Sequence, residues 1–136
     1  MNEMQLVPIA YVSSELHDRS EAPRQGSDGA PDAWLTFSPD VVDGLRDITV
    51  VAELLVLTWV QLSRRDELAT LPGSDPNNPI TGVFNTRSPN RPNPIGVHRV
   101  RVLAVDGARI KVSDMEAVDG TPVVDVKPVL DRHKER

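Results

Sequence analysis

The chain has 136 residues, a net charge of −5, 39% apolar residues and 26% charged residues. That length and apolar content suit one domain with one core (residues 1–136), and the acidic balance disfavours a generally basic nucleic-acid binder. Cysteine is absent, which excludes disulfides, thiol catalysis, zinc fingers and iron–sulfur clusters. No apolar run approaches the ~18–20 residues of a membrane span and the N-terminus does not read as a signal peptide, so a soluble, cytoplasmic protein is expected.

In chain order, residues 6–12 (LVPIAYV) predict a first strand, placed at an edge by Pro8. Residues 13–31 read as a polar surface loop. Residues 34–37 predict a short strand. Ser38-Pro39 then opens a short helix over 40–45, with Ser38 as N-cap and Gly44 near its end. Residues 50–62 (VVAELLVLTWVQL) are the strongest apolar run; β-branched residues favour strand over buried helix, and the polar positions are Glu53, Thr58 and Gln61. Residues 63–67 are a charged exit, and 81–85 predict another short strand.

Residues 96–112 give the clearest hairpin. Val100, Val102 and Ala104 are assigned to one face and Arg99 and Arg101 to the other, Asp106-Gly107 forms the turn, and Ile110 and Val112 point inward on the return. Residues 114–118 predict one helical turn, Asp119-Gly120 a second tight turn, and 122–126 a last strand. The tail over 131–136 is charged and expected to fray. Many short strands with little helix argue an all-β fold, a small closed or partly open β-barrel with short helical additions.

Familiar catalytic signatures are missing: no GxGxxG after a strand, no P-loop, no HExxH, no GxSxG. His17, His98 and His133 lack metal-ligand spacing, so no metal is expected, and His98 reads as a solvated surface imidazole rather than an acid–base group. The unusual feature is residues 82–97 (GVFNTRSPNRPNPIGV). Six of the 12 prolines fall between Pro72 and Pro94, and residues 81–103 hold four arginines (Arg87, Arg91, Arg99, Arg101) and no acid. Arginines on a stiff loop suit an anionic ligand, because less entropy is lost on binding. The prolines also remove backbone donors, leaving loop carbonyls free for water or a ligand. The structural alternative is equally weighted: the arginines pair with the surplus carboxylates. A second candidate is residues 119–128 (DGTPVVDVKP). Asp119 reads first as a turn residue bonding its own backbone, and Asp125 and Lys127 share one strand face as an ion pair. Asp125 can alternatively anchor a loop arginine.

These pieces together resemble the TsaA/TrmO-like family. The block at 82–97, DGTPVVDVKP at 119–128, Pro23-Arg24-Gln25 and LLVLTWVQLSRRD at 54–66 are similar to that family's motifs, in the same order over essentially the whole chain. The resemblance implies an S-adenosylmethionine-dependent methyltransferase on a small β-barrel, a homodimer with the cofactor near the subunit interface, and tRNA as substrate, methylated on the 6-amino nitrogen of threonylcarbamoyladenosine at position 37. It implies cofactor contacts at Pro23, Arg24, Gln25, Val60, Gln61, Arg87, Val97, Met115, Glu116, Ala117, Val118 and Asp119. Asp119, then Asp125, are the candidates for accepting or orienting the leaving proton; Arg91, Asn93 and Lys127 are the candidates on the substrate side, with loop bracing the simpler role for Asn93. Gln61 stands where family members often carry histidine, and the chain stops soon after Lys127-Pro128, like the family's short archaeal forms. A methyltransferase of a small molecule or peptide, and a non-catalytic cofactor-binding module, stay open as alternatives.

Overall fold

A computed structural model describes residues 3–17, 22 and 29–131. Eight strands form in chain order: β1 Ala10–Ser13, β2 Ala33–Phe37, β3 Glu53–Trp59, β4 Ala69–Thr70, β5 Thr81–Gly82, β6 Ile95–Asp106, β7 Arg109–Val112 and β8 Pro122–Pro128. Six of them close into an antiparallel barrel in the order β1-β2-β7-β6-β3-β8, with β8 returning to β1 through Ala10↔Val123 and Tyr11↔Pro122. The strands β4 and β5 form a separate two-stranded ribbon. The all-β barrel expected from the alternation is what the chain forms.

Alternation decides which side chains fill the barrel. On β3, Leu54, Val56 and Thr58 point in; on β6, His98, Val100 and Val102 do; Ile110 and Val112 complete the hairpin, whose turn places Gly107 at φ 59°. Ala10, Val12, Leu35, Phe37, Met115 and Val123 close the same core. Two register shifts bend the sheet. One lies on the β3–β8 ladder at Leu57/Thr58, the other on the β6–β7 ladder between Val102 and Ala104, where Leu103 is the extra residue. Such bulges sharpen the local twist that a small barrel needs.

Several elements differ from the sequence expectation. The first strand begins at Ala10, because Pro8 has no N–H and the ladder to β8 starts only with Ile9 donating to the Val123 carbonyl (2.8 Å). Val50 and Val51 lie in a turn instead of β3; Val51 has φ 71°, and its N–H donates to the Val102 carbonyl. The segment after Ser38 is a 3-10 helix over Pro39–Leu45, and the Ser38 side chain makes no capping bond. The strand expected over 81–85 stops at Gly82, since Val83 turns into a 3-10 segment and buries itself. No helical turn forms over 114–118: Asp114 sits at φ 55°, and Met115 is buried with its N–H on the Pro31 carbonyl (3.1 Å). Pro23, Arg24 and Gln25, and the tail beyond residue 131, lie outside the described residues.

Candidate functional site

The proline-rich loop between the 3-10 segment Val83–Asn85 and β6 is held from two sides. Arg91 Nη1 donates to the carbonyls of Thr86 and Ser88, both at 3.0 Å. Arg65, beyond the end of β3, donates to the Pro92 carbonyl (2.8 Å) and to Asn93 Oδ1 (3.2 Å) while its guanidinium lies over the Trp59 ring, 5.3 Å from the centroid. The neighbouring Arg64 N–H donates to Asn90 Oδ1, and Val60 N–H donates to the Pro94 carbonyl. The carbonyls of Thr86, Ser88, Pro92 and Pro94 therefore have partners, so the expectation that the loop carbonyls are left for water or a ligand fails at these four. Asn93 braces the loop, as its simpler reading held. Arg65 and Arg64, read in the sequence as a charged exit, turn out to be the clamps.

The arginine island divides into distinct roles. Arg99 Nε donates to Glu53 Oε2 (2.8 Å), and Arg101 lies 3.8 Å from Glu53 Oε1. The register explains this: Glu53 stands opposite Arg101 on the β3–β6 ladder, with Arg99 two residues away on the same face. Arg99 lowers the Glu53 carboxyl below its usual value of 4.5, first through the hydrogen bond and then through its charge. Arg87 makes no hydrogen bond or ion pair with any described residue. It lines a cleft of about 660 Å³ together with Val97 and Leu103, the Glu53–Arg99–Arg101 cluster, and Glu116. The structural alternative holds for three of the four: two arginines are absorbed by a carboxylate and one braces its own loop, while Arg87 has no partner among the described residues.

His98 is buried, not solvated. It points into the barrel beside Val100 and Val102, and only 6% of its surface is exposed. Its Nε2 lies 2.7 Å from Thr58 Oγ1 and its Nδ1 lies 2.7 Å from Glu116 Oε1. An imidazole can reside here because both ring nitrogens have partners. Glu116 Oε2 is buried and has no partner among the described residues. The line of three polar groups runs from the barrel interior to the cleft wall. The parity of His98 with Val100, and of Thr58 with Val56, is the sequence signal that points to it.

The other expected site residues among those described do not line this cleft. Asp119 is exposed and staples the β1 exit: its Oδ1 accepts from Ser14 N–H (3.0 Å), and its own N–H donates to the Leu16 carbonyl (2.6 Å). Val118 accepts from both the N–H and the hydroxyl of Thr121. Met115 is core and Ala117 packs against it, half-buried. Gln61 is exposed in the turn after β3. Asp125 and Lys127 form the expected ion pair (3.6 Å), so Asp125 anchors no loop arginine; both lie at a second cavity of about 450 Å³, floored by Phe37, Leu45 and Leu54, which shares no residue with the arginine cleft. Among the described residues no helix is long and apolar enough to cross a membrane, and no group of three or more His, Asp or Glu side chains is placed to hold a metal ion.

Comparison with known proteins agrees with this architecture. The family model for the tRNA-methyltransferase O N-terminal domain matches residues 11–134. A probable S-adenosyl-L-methionine-binding protein of Archaeoglobus fulgidus is 42% identical over 125 residues, covering 92% of this chain and 34% of the relative. A second protein of the same organism, an S-adenosyl-L-methionine-binding protein, is 39% identical over 124 residues, covering 91% of this chain and 88% of the relative. The crystal structure of TrmO from Pseudomonas aeruginosa superposes with a TM-score of 0.76 at 28% identity, covering 98% of this chain and 59% of that one. The chain thus spans about a third of the first relative and under two-thirds of the TrmO chain.

Proposed function

This chain belongs to the tRNA-methyltransferase O N-terminal domain family, and from that membership together with the arginine cleft we propose that it binds S-adenosylmethionine and transfers its methyl group to tRNA. The observation that carries the reading is Arg87: a guanidinium without a partner among the described residues, lining a cleft beside a loop stiffened by Pro89, Pro92 and Pro94. The residues present fit a zwitterionic cofactor. Arg87 suits the cofactor carboxylate as a bidentate donor, Val97 and Leu103 supply apolar wall, and Glu116 offers a carboxylate oxygen that has no donor among the described residues.

The cofactor supplies a sulfonium methyl group, open to in-line attack by a nitrogen. The chain's task is then chiefly alignment, which can contribute about 7–11 kcal/mol. Arg65, Arg91 and Asn93 keep the loop in one shape, so that Arg87 is placed before a ligand arrives. Pro23, Arg24, Gln25, Val60, Gln61 and residues 116–119 complete the cofactor contacts in this reading, with Met115 buried in the core behind them. The acceptor is the 6-amino nitrogen of threonylcarbamoyladenosine at position 37 of tRNA. Asp119 orients or takes the leaving proton; it follows Glu116 by three residues, whereas Asp125 lies at the other cavity. Arg91 faces the substrate phosphates or the threonyl carboxylate, whereas Lys127 lies with Asp125 at the other cavity. Two copies form the working unit, and exposed Leu68, Ile80 and Phe84 around the β4–β5 ribbon supply apolar surface for that contact.

Titration calorimetry with S-adenosylmethionine, a turnover assay on tRNA, and mass spectrometry of tRNA nucleosides from a deletion strain test the reading. Cofactor binding, methylated product and loss of the methylated nucleoside are expected. Binding without any product favours a non-catalytic module, and product on a small molecule or peptide alone overturns the tRNA assignment. Arg91→Ala is expected to flatten the salt dependence of tRNA binding.

A further inference from the structure

Glu116 is held from inside the barrel. His98 is 6% exposed and has two contacts: Thr58 Oγ1 on Nε2 and Glu116 Oε1 on Nδ1, both at 2.7 Å. A neutral imidazole that carries its proton on Nδ1 satisfies both at once, donating to the carboxylate and accepting from the Thr58 hydroxyl. The alternative tautomer places the bare Nδ1 against a carboxylate oxygen, where neither can donate. Thr58 thus fixes the imidazole, and the imidazole fixes one oxygen of Glu116. The other oxygen, Oε2, is buried without a donor among the described residues, and Glu116 lines the cleft where Arg87 likewise has no described partner. A buried charged acceptor lacking a donor is costly, and it is satisfied when a ligand brings one.

We propose that Thr58 and His98 are positioning residues that hold Glu116 at the cleft wall, and that Glu116 and Arg87 together form a receptor for an α-amino-acid zwitterion, with the ligand ammonium on Glu116 and its carboxylate on Arg87. This rests on the reading that the cofactor is S-adenosylmethionine, and it assigns the cofactor's methionine end to this side of the cleft. Arg99 and Arg101 do not compete for Oε2, since Glu53 holds both.

Calorimetry with three ligands on purified full-length protein tests it: S-adenosylmethionine, S-adenosylhomocysteine (which keeps the zwitterion and lacks the sulfonium), and 5′-methylthioadenosine (which lacks the amino-acid end). Glu116→Gln is expected to weaken the first two by about 10- to 100-fold and to leave the third within about threefold. His98→Leu is expected to follow Glu116→Gln, and His98→Asn, which restores a donor near Nδ1, to recover most of the loss. Thr58→Val, close in shape, gives a second route if His98→Leu does not fold: it is expected to weaken the two zwitterions selectively. In nitrogen-15 spectra of the free wild-type protein, neutral His98 is expected as the Nδ1-protonated tautomer. A neutral ring protonated on Nε2 overturns the proposal. So does an equal loss for all three ligands, or a loss confined to S-adenosylmethionine, which would put the carboxylate on the sulfonium. No binding of S-adenosylmethionine by the wild type overturns the cofactor reading itself; wild-type binding that Glu116→Gln leaves unchanged overturns only this inference.

Discussion

Gly96 stands directly opposite Thr58 on the β3–β6 ladder, and a Cβ at position 96 would fall 2.6 Å from Thr58 Oγ1 and 3.0 Å from His98 Nε2. The absent side chain is therefore what lets the hydroxyl and the imidazole meet. Gly96→Ala is expected to destabilise the protein by about 1–3 kcal/mol through overpacking and to shift the His98 ring resonances. Thr58→Ala leaves Nε2 without its partner, a loss of about 1–3 kcal/mol. Because both changes disrupt one contact, the double variant is expected to lose less than the two singles together; urea unfolding of the four proteins measures the coupling.

Arg65 joins three things: the Trp59 ring, the Pro92 carbonyl and Asn93. Arg65→Ala is expected to cost about 1 kcal/mol or less in global stability, since the residue is exposed, yet to loosen the loop that carries Arg87. Hydrogen exchange of amides over 86–93 reads the second effect directly, and cofactor affinity should fall with it. Arg65→Lys is not expected to rescue either, because an ammonium cannot both stack on the indole and donate in two directions in one plane.

The barrel was legible because strand alternation is a strong local signal. Val100 with Val102, and Ile110 with Val112, announce the inward face of the hairpin, and Asp106-Gly107 its turn. The same parity puts His98 inward, but nothing local offers the imidazole a partner. Glu116 lies 18 residues away, past a turn that depends on Asp114 at φ 55°. The arginine island was legible as a count of charges. Which arginine lacks a partner among the described residues was not, since that depends on the register that sets Glu53 against Arg101 and on the clamps from Arg64 and Arg65. Val51 shows the limit of propensity: a β-branched residue in an apolar run still leaves the strand when the chain must turn before β3.

That turn stores strain. Val51 sits at φ 71°, a region where a β-branched side chain is crowded, and the side chain is exposed and gains little from packing. Val51→Gly is expected to raise stability by about 1 kcal/mol, or roughly 4 °C in Tm, despite glycine's greater freedom in the unfolded chain. Calorimetric melting measures it; a lower Tm would mean that the valine side chain contributes more than its exposure suggests.

Acid should act on the Glu53 cluster. The hydrogen bond and charge of Arg99, with a smaller contribution from Arg101, hold the Glu53 carboxyl below 4.5, against a weaker desolvation effect that raises it. A carboxyl depressed in the folded state contributes stability that is fully present above about pH 4.5 and is lost as pH falls through the lowered folded value. Asp66 behaves alike beside Arg64, below its ordinary 3.8. Glu53→Gln should therefore lower the urea midpoint slightly at pH 7 and flatten its decline below pH 4.5, with Arg99→Ala giving the same flattening and no further change in the double variant. Both groups are solvent-exposed, so 1 M salt is expected to shrink the effect at every pH where the carboxylates are charged. A decline below pH 4.5 that Glu53→Gln leaves as steep as in the wild type would assign the acid sensitivity to other carboxylates.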